Sequence, residues 1–78
     1  MKAIYSKRIH DTQKAEKILD FGDNTLYRTK NGSWFLTDAS GVQPALYPVP
    51  PERAAVYVGM YAAERYVEFF SAAELEEA

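Results

Sequence analysis

His10 and Asp11 are adjacent residues of the types that could carry acid–base chemistry, because a carboxylate can orient an imidazole for proton transfer. Neighbouring side chains of a strand point to opposite faces, however, and neither a second histidine nor a serine-centred motif accompanies the pair. With one histidine, no cysteine and no calcium-loop spacing of carboxylates, the sequence offers no ligand set for a metal. We therefore expect a structural role for His10, and no enzymatic activity, metal or cofactor.

The second set of candidate residues lies in the long apolar stretch near the C-terminus. Tyr57 and Tyr61 fall one helical turn apart on its charged side, which they share with Glu64, Arg65 and Glu68. Exposed tyrosine beside arginine is typical of protein interfaces, so these five residues are the predicted partner-binding surface. The alternative is that both rings lie half-buried along the edge of a sheet.

A third set of residues alternates flat rings with cations within the segment 25–36. Tyr27, Arg28, Lys30, Trp34 and Phe35 are the usual partners of bases and phosphates, so this segment is a possible nucleic-acid or second binding face. The acidic pI of about 5.3 argues against that function, and core aromatics with solvated charges between them give the same pattern. Nucleic-acid binding therefore stays the alternative to protein binding.

Composition and charge limit the class of protein. A length of 78 residues fits one domain spanning 1–78, and the lack of cysteine favours the reducing cytoplasm. No segment has the apolar length of a membrane span or a signal peptide. Residues 1–32 carry seven basic and four acidic side chains, whereas residues 33–78 carry two basic and seven acidic ones. The folded chain should therefore have one positive and one negative flank.

The N-terminal half is predicted to contain a strand, a short helix and a hairpin. Residues 2–9 suit a strand. A helix over 12–20 is indicated by the helical spacing of Ala15, Ile18 and Leu19. Asp11 or Thr12 could cap the start of this helix. Residues 21–24 form the predicted stop. The dipeptide Asn31-Gly32 then predicts a two-residue hairpin turn between strands 25–30 and 33–38.

That turn fixes a predicted register in which Lys30 pairs with Ser33. One face of the hairpin would then carry Tyr27, Thr29, Trp34 and Leu36, and the other would carry Leu26, Arg28, Lys30, Phe35 and Thr37. Both faces are apolar. Either both faces are covered by the rest of the fold, with the short helix over 12–20 on one of them, or one face is free for a partner.

The C-terminal half is predicted to contain a third strand over 42–47 and a helix over 51–70 that begins at Pro51. Its inward half would carry Ala55, Val56, Gly59, Met60, Ala62, Ala63, Tyr66, Val67, Phe69 and Phe70. Ser71 to Glu74 has the form of a capping box. The predicted fold is thus α+β, with a small antiparallel sheet of about three strands packed on one long C-terminal helix.

The sequence also resembles a family of short proteins of bacteria and mobile elements. Three segments carry the resemblance: His10-Asp11-Thr12 followed by Ala15, the run Thr25 to Leu36, and Pro48 before Glu52-Arg53-Ala54 and the helix. The family pattern reads YDTxxA, TLYRTKxGxWFL and IPLxxxEA. This chain departs from it at His10 in place of Tyr, at 38–41 in place of a glycine-rich turn, at Pro50 in place of a Ser or Thr cap, and at Tyr57 in place of Trp.

The resemblance implies a function for the whole chain. The family is uncharacterised, but small cysteine-free acidic proteins of mobile elements, anti-CRISPR proteins among them, often act by binding a larger host complex. We therefore expect a cytoplasmic, non-enzymatic protein-binding module that inhibits a bacterial defence complex such as a CRISPR effector. A nucleic-acid-binding protein and a homodimeric interaction protein are the alternatives.

Overall fold

Six antiparallel strands in two sheets precede the helical C-terminal part, in a computed structural model that describes residues 1–73 and 75–78. The strands are β1 (Lys2–Tyr5), β2 (Arg8–Asp11), β3 (Glu16–Phe21), β4 (Asn24–Arg28), β5 (Trp34–Asp38) and β6 (Ala45–Val49). The helices are α1 (Pro51–Tyr61), a 3₁₀ turn (Ala63–Arg65) and α2 (Tyr66–Phe69). β1 and β2 form a two-stranded sheet, and the other strands form a sheet in the order β3-β4-β5-β6.

The predicted first strand is in fact a hairpin. Tyr5 pairs with Arg8, and the two residues between them, Ser6 and Lys7, have φ values of 52° and 63°. A two-residue hairpin turn of this kind needs positive φ at both positions and normally uses Asn and Gly. Neither Ser6 nor Lys7 is of a type that favours positive φ, so the sequence carries no signal for this hairpin.

The predicted helix over 12–20 is wrong, because residues 16–21 form β3. Asp11 does cap a turn: its backbone carbonyl accepts hydrogen bonds from the N–H groups of Lys14 and Ala15, but the chain then becomes extended. A β-bulge between Lys17 and Leu19 leaves Ile18 unpaired, so that Ile18 and Leu19 are both buried in one core. Two consecutive core residues imitate helical spacing, which explains the wrong prediction.

The predicted stop at 21–24 is a turn, as expected, but it joins two strands instead of ending a helix. Phe21 pairs with Asn24, and Gly22 between them has a φ of 57°, which favours glycine. The turn Gly22-Asp23 therefore makes β3 and β4 neighbours in the sheet.

The hairpin around Asn31-Gly32 is confirmed, but its register differs by one residue from the prediction. The N–H of Thr29 donates to the carbonyl of Ser33, and Gly32 alone has a positive φ, 85°, in the three-residue loop between them. A three-residue loop of this type shifts the pairing relative to a two-residue turn. Arg28 consequently pairs with Trp34.

The shifted register changes which residues share a face. Leu26, Arg28, Trp34 and Leu36 lie on one face of the sheet, and Tyr27 and Phe35 lie on the other. The prediction that Tyr27 shares a face with Trp34 is therefore wrong.

The last strand begins later than predicted, because β6 covers Ala45–Val49 instead of 42–47. It contains Pro48, opposite Phe35. Proline is tolerated here because β6 is an edge strand of the sheet, where the missing N–H breaks no ladder.

The predicted helix over 51–70 is correct at its start and wrong in its second half. Pro51 occupies the first helical turn, as predicted, but Ala62 leaves the helix with φ −148° and ψ 50°. The buried stripe of α1 is Ala54, Val58 and Ala62, so the helix is rotated relative to the prediction. Three of the residues predicted to face inward do pack on the core: Tyr66, Phe69 and Phe70. Ala55 is half-buried. Five others are exposed: Val56, Gly59, Met60, Ala63 and Val67.

Both faces of the four-stranded sheet are covered, which settles the question raised by the hairpin. The helices cover the face of Leu26, Trp34 and Leu36. The β1–β2 hairpin covers Phe35 on the other face, where the ring of His10 lies 5.6 Å from the Phe35 ring. The α+β class and the packing of the sheet on C-terminal helices are confirmed. The predicted sheet of about three strands has four, and the predicted single long helix is an 11-residue helix followed by a short helical segment. The second cover is the two-stranded hairpin and not the helix predicted over 12–20.

Two further predictions concern the capping box after α2 and the possibility of a membrane span. The N–H of Ala73, two residues on, donates to Oγ of Ser71, whereas the predicted capping box involves Glu74, which lies outside the described residues. Among the residues that the structure describes, no helix has the length and apolarity needed to cross a membrane.

Candidate functional site

His10 is a buried packing residue in this fold. Its ring makes edge contacts with Tyr5 and Phe35 at centroid distances of 5.8 and 5.6 Å, and Nδ1 lies 3.2 Å from the carbonyl oxygen of Arg8. Asp11 uses Oδ1 to accept a hydrogen bond from the N–H of Gln13. The imidazole therefore fastens the N-terminal hairpin to the sheet, and the neighbouring carboxylate shapes a turn. Within residues 1–73 and 75–78, no group of three His, Asp or Glu side chains could hold a metal ion.

The aromatic residues of the central hairpin are largely buried. Trp34 stacks on Phe70 and meets Phe69 edge-on, both at 5.4 Å, while Phe35 stacks on Tyr27 at 5.0 Å. The five residues of the predicted second face are thus divided between two faces and a loop. Trp34 and Phe35 are not accessible for stacking on bases.

Arg28 occupies an unusual position beside these rings. Its guanidinium carbon lies 5.7 Å from the centre of the Trp34 ring and 5.5 Å from that of Phe69. Its Nε is buried without a hydrogen-bond partner, and within the described part of the chain the side chain makes no ion pair. Burying a charged donor without a partner is unfavourable, so this residue needs an explanation beyond packing.

The two predicted interface tyrosines lie at the edge of the sheet, against Phe21. The Tyr57 ring is half-buried, 4.8 Å from that of Phe21, and the Tyr61 ring stacks on Phe21 at 4.9 Å while 52% of Tyr61 stays exposed. The structure therefore places Tyr57 closer to the alternative position, at the sheet edge. Tyr61 retains the surface needed for a partner.

Arg65 connects the helical part to the bulge of β3. Its guanidinium contacts the carboxylates of Glu68 at 3.0 Å and Glu16 at 3.5 Å, and Nη1 donates to the carbonyl of Ile18, the residue left unpaired by the bulge. The hydrogen bond to Glu68 is the main cause that raises the pKa of Arg65. Arg65 and Glu68 are therefore engaged within the chain, whereas Glu64 is exposed.

The outward surface of the helices is apolar, which the sequence pattern did not predict. Val56 and Met60 lie one turn apart on α1 and are 55% and 65% exposed, and Val67 of α2 is 61% exposed. The ring of Tyr66, which precedes Val67, lies beside Gly59 of α1 and so brings α2 against α1. The sequence feature that could have indicated this orientation of α1 is the stripe of Ala54, Val58 and Ala62. Their small side chains let α1 approach the bulky residues of the sheet.

We call Val56, Met60, Tyr61 and Val67 the helical apolar surface. The charged side chains Glu52, Arg53 and Glu64, all exposed, lie on the same helical segments. An apolar centre with charged neighbours is the arrangement of many protein interfaces.

Comparison with known proteins gave no match to a family model, to a curated protein or to a solved structure. Function therefore has to be argued from the surface of this chain.

Proposed function

We propose that the chain is a non-enzymatic protein-binding module that docks through the helical apolar surface. The observation that carries the proposal is the exposure of Val56 and Met60 at the centre of the outward side of α1. Apolar side chains left in water on a small domain mark a surface that another molecule covers. Tyr61 adds a large ring with two side-chain torsions to immobilise, which keeps the entropic cost of binding low.

The partner we propose is a bacterial defence complex, with inhibition of a CRISPR effector as the specific case. The resemblance to short proteins of bacteria and mobile elements supports this class of partner. Charge supports it as well, because Glu52 and Glu64 flank the apolar residues and would complement a basic surface such as a nucleic-acid channel. Arg53 is the exposed cation on the same side of α1.

A plaque assay tests this function directly. Bacteria with an active CRISPR system that targets a phage should become sensitive to that phage when they express the chain. Val56→Glu and Met60→Glu should abolish the protection of the phage, because a carboxylate at the apolar centre of the surface would lose its hydration on binding, at a cost of roughly 2 kcal/mol or more. Glutamate is a good helix former, so α1 should remain intact in both variants.

Val42→Glu is the matched control, since Val42 is fully exposed in the loop before β6 and lies outside the helical apolar surface. It should protect the phage as well as the original chain does. Phage protection that persists in the Met60→Glu variant, or its absence in every CRISPR type tested, would contradict the proposal.

A homodimer is a second candidate, favoured by the order of charges along the helical segment. Arg53, Val56, Met60 and Glu64 would place cation against carboxylate if two copies paired in antiparallel fashion about a two-fold axis. Light scattering coupled to size exclusion distinguishes this state, because the Met60→Glu variant should then shift from dimer to monomer.

A further inference from the structure

Three adjacent depressions run along the loop between β4 and β5. Their volumes are about 590, 230 and 290 Å³. Thr29 lines all three of them, and Asn31 lines the first two, so neighbouring depressions share walls. We call this feature the basic groove, because its charged side chains are mainly cations. It lies beside the N-terminal hairpin, on elements different from those of the helical apolar surface.

Five cations line the basic groove: Lys7, Arg8, Lys14, Arg28 and Lys30. In residues 1–73 and 75–78, none of them makes an ion pair. The two carboxylates that also line the groove are already engaged, Asp11 with the N–H of Gln13 and Glu16 with Arg65. The lining of the groove therefore has five positive and two negative side chains, a net charge of +3.

The fold assembles these cations from distant parts of the chain. Lys7 and Arg8 come from the turn and second strand of the N-terminal hairpin, Lys14 from the turn before β3, and Lys30 from the loop before β5. Asp23 and Asp38 lie at the opposite ends of β4 and β5, because Asn24 pairs with Asp38 and Arg28 pairs with Trp34. A net charge of −2 thus conceals a strongly basic end of the sheet.

Arg28 gives an independent reason to expect an anion at this place. Its Nε is a buried donor without a partner, and its guanidinium carbon lies 5.7 and 5.5 Å from the centres of the Trp34 and Phe69 rings, which are 5.4 Å from each other, so both rings contact the guanidinium from the same side. A guanidinium presents its donors in a fixed fork that matches phosphate oxygens. A bound phosphate would compensate the charge that the chain leaves unpaired.

We propose that the basic groove binds the phosphate backbone of a nucleic-acid strand. Five cations spread over three adjacent depressions fit a ligand with repeated charges better than a single small anion. Among the described residues, no Tyr, Trp or Phe lines the groove, and the His10 ring that does line it is buried, so bases find no exposed ring to stack on and binding is independent of base sequence. This inference stands apart from the protein-binding function, since the two surfaces share no residue.

Fluorescence anisotropy with labelled oligonucleotides of two unrelated sequences tests the proposal. We expect equal binding of both sequences at low salt, and a logarithmic salt slope of about 0.7 to 0.9 for each phosphate contacted. The triple variant Lys7→Gln, Lys14→Gln and Lys30→Gln should lower that slope by about two to three and weaken binding at least tenfold. Lys17→Gln is the control for loss of charge, because Lys17 pairs with Asp20 outside the groove.

Arg28→Met separates a ligand-binding role of Arg28 from a purely structural one. A methionine side chain keeps apolar contact with the two rings and removes the unsatisfied charge, so the variant should unfold at an unchanged or higher urea concentration. It should nevertheless bind oligonucleotides more weakly. Met60→Glu should bind them normally, which distinguishes failure of this inference from failure of the proposed function.

Three results would overturn the proposal. The first is no binding of oligonucleotides at low salt. The second is an equal effect of the groove variants and of Lys17→Gln. The third is competition by polyglutamate at equal charge as effective as that by an oligonucleotide, which would assign the groove to acidic peptides.

Discussion

At the scale of single residues, Phe21 contacts the rings of both helix tyrosines, Tyr57 and Tyr61, which differ in exposure. Its ring lies between those of Tyr57 and Tyr61, with Tyr57 the more deeply placed of the two. Aromatic pairs contribute about 0.5 to 1.5 kcal/mol beyond the apolar area that they bury. We therefore expect Tyr57→Ala to lower the free energy of unfolding by about 1 to 2 kcal/mol, and Tyr61→Ala by less than about 1 kcal/mol.

Urea denaturation followed by fluorescence of Trp34, the single tryptophan, measures both changes. Tyr61→Phe is the control, because it keeps the stacked ring and should retain full stability. Equal losses for the two alanine variants would show that Tyr61 belongs to the core and is not a free anchor for a partner.

Two carboxyl groups near strand ends, those of Asp20 in β3 and Asp38 in β5, have lowered pKa values. The hydroxyl of Thr25 and the ammonium of Lys17 donate to Asp20 and lower its pKa, and hydrogen bonds from Ser40 lower the pKa of Asp38. A carboxyl whose pKa is lower in the folded state stabilises the fold above its unfolded pKa, and this stabilisation is lost as the pH falls towards the folded value.

We therefore expect the unfolding midpoint in urea to fall as the pH decreases below about 4. The double variant Asp20→Asn and Asp38→Asn should show a flatter pH profile than the original chain. Asp23→Asn is the comparison, since the Asp23 side chain accepts no hydrogen bond within the described residues. An identical pH profile for the double variant would show that other groups govern acid unfolding.

At the scale of elements, local turn chemistry was predictable and long-range packing was not. Asn31-Gly32 located the central hairpin and Pro51 located the start of α1, because both signals act on neighbouring backbone. The register depended on a choice between two loop lengths that the same dipeptide permits. The bulge at Ile18 and the break at Ala62 contain no glycine or proline, and both residues lie in the core between the sheet and the helices.

The candidate surfaces also differ in whether local sequence or tertiary packing determines them. The sequence predicted Tyr61 and Glu64 as interface residues from their spacing along a helix, and both are exposed in the structure. Val56 and Met60 were missed because the rotation of α1 depends on which side chains of the sheet it meets. The basic groove was missed because it joins three segments that only the tertiary fold brings together.

The turn of the N-terminal hairpin offers a test at this scale. Ser6 and Lys7 both have positive φ, which costs a residue with a Cβ about 1 to 2 kcal/mol, whereas Asn and Gly tolerate that conformation. The double variant Ser6→Asn and Lys7→Gly should raise the free energy of unfolding by about 1 kcal/mol, as measured in urea.

Lys7→Ala is the matched control, because it removes the same charge but keeps the Cβ at a positive φ, and it should give no gain. A double variant without added stability would indicate that the hairpin opens before the rest of the molecule unfolds.

At the scale of the whole molecule, the two sheets differ in how firmly they are held. β4 and β5 lie in the middle of the four-stranded sheet, with covers on both faces. The hairpin β1–β2 meets that sheet through His10 and Tyr5, while Ile4 and Ile9, which pair directly across its outer face, are exposed. An element with few buried apolar contacts opens at a lower free energy than the core.

We expect native-state hydrogen exchange to show this difference. The hydrogen-bonded amides of β1 and β2 should exchange at least about a hundredfold faster than those of β4 and β5, because the hairpin can detach without disrupting the main core. Since Lys7 and Arg8 of the hairpin line the basic groove, a bound oligonucleotide should slow exchange in β1 and β2 and leave β4 unchanged. Uniform exchange in both sheets would instead show one cooperative unit, in which case the groove is preformed and its cations are held in place before any strand binds.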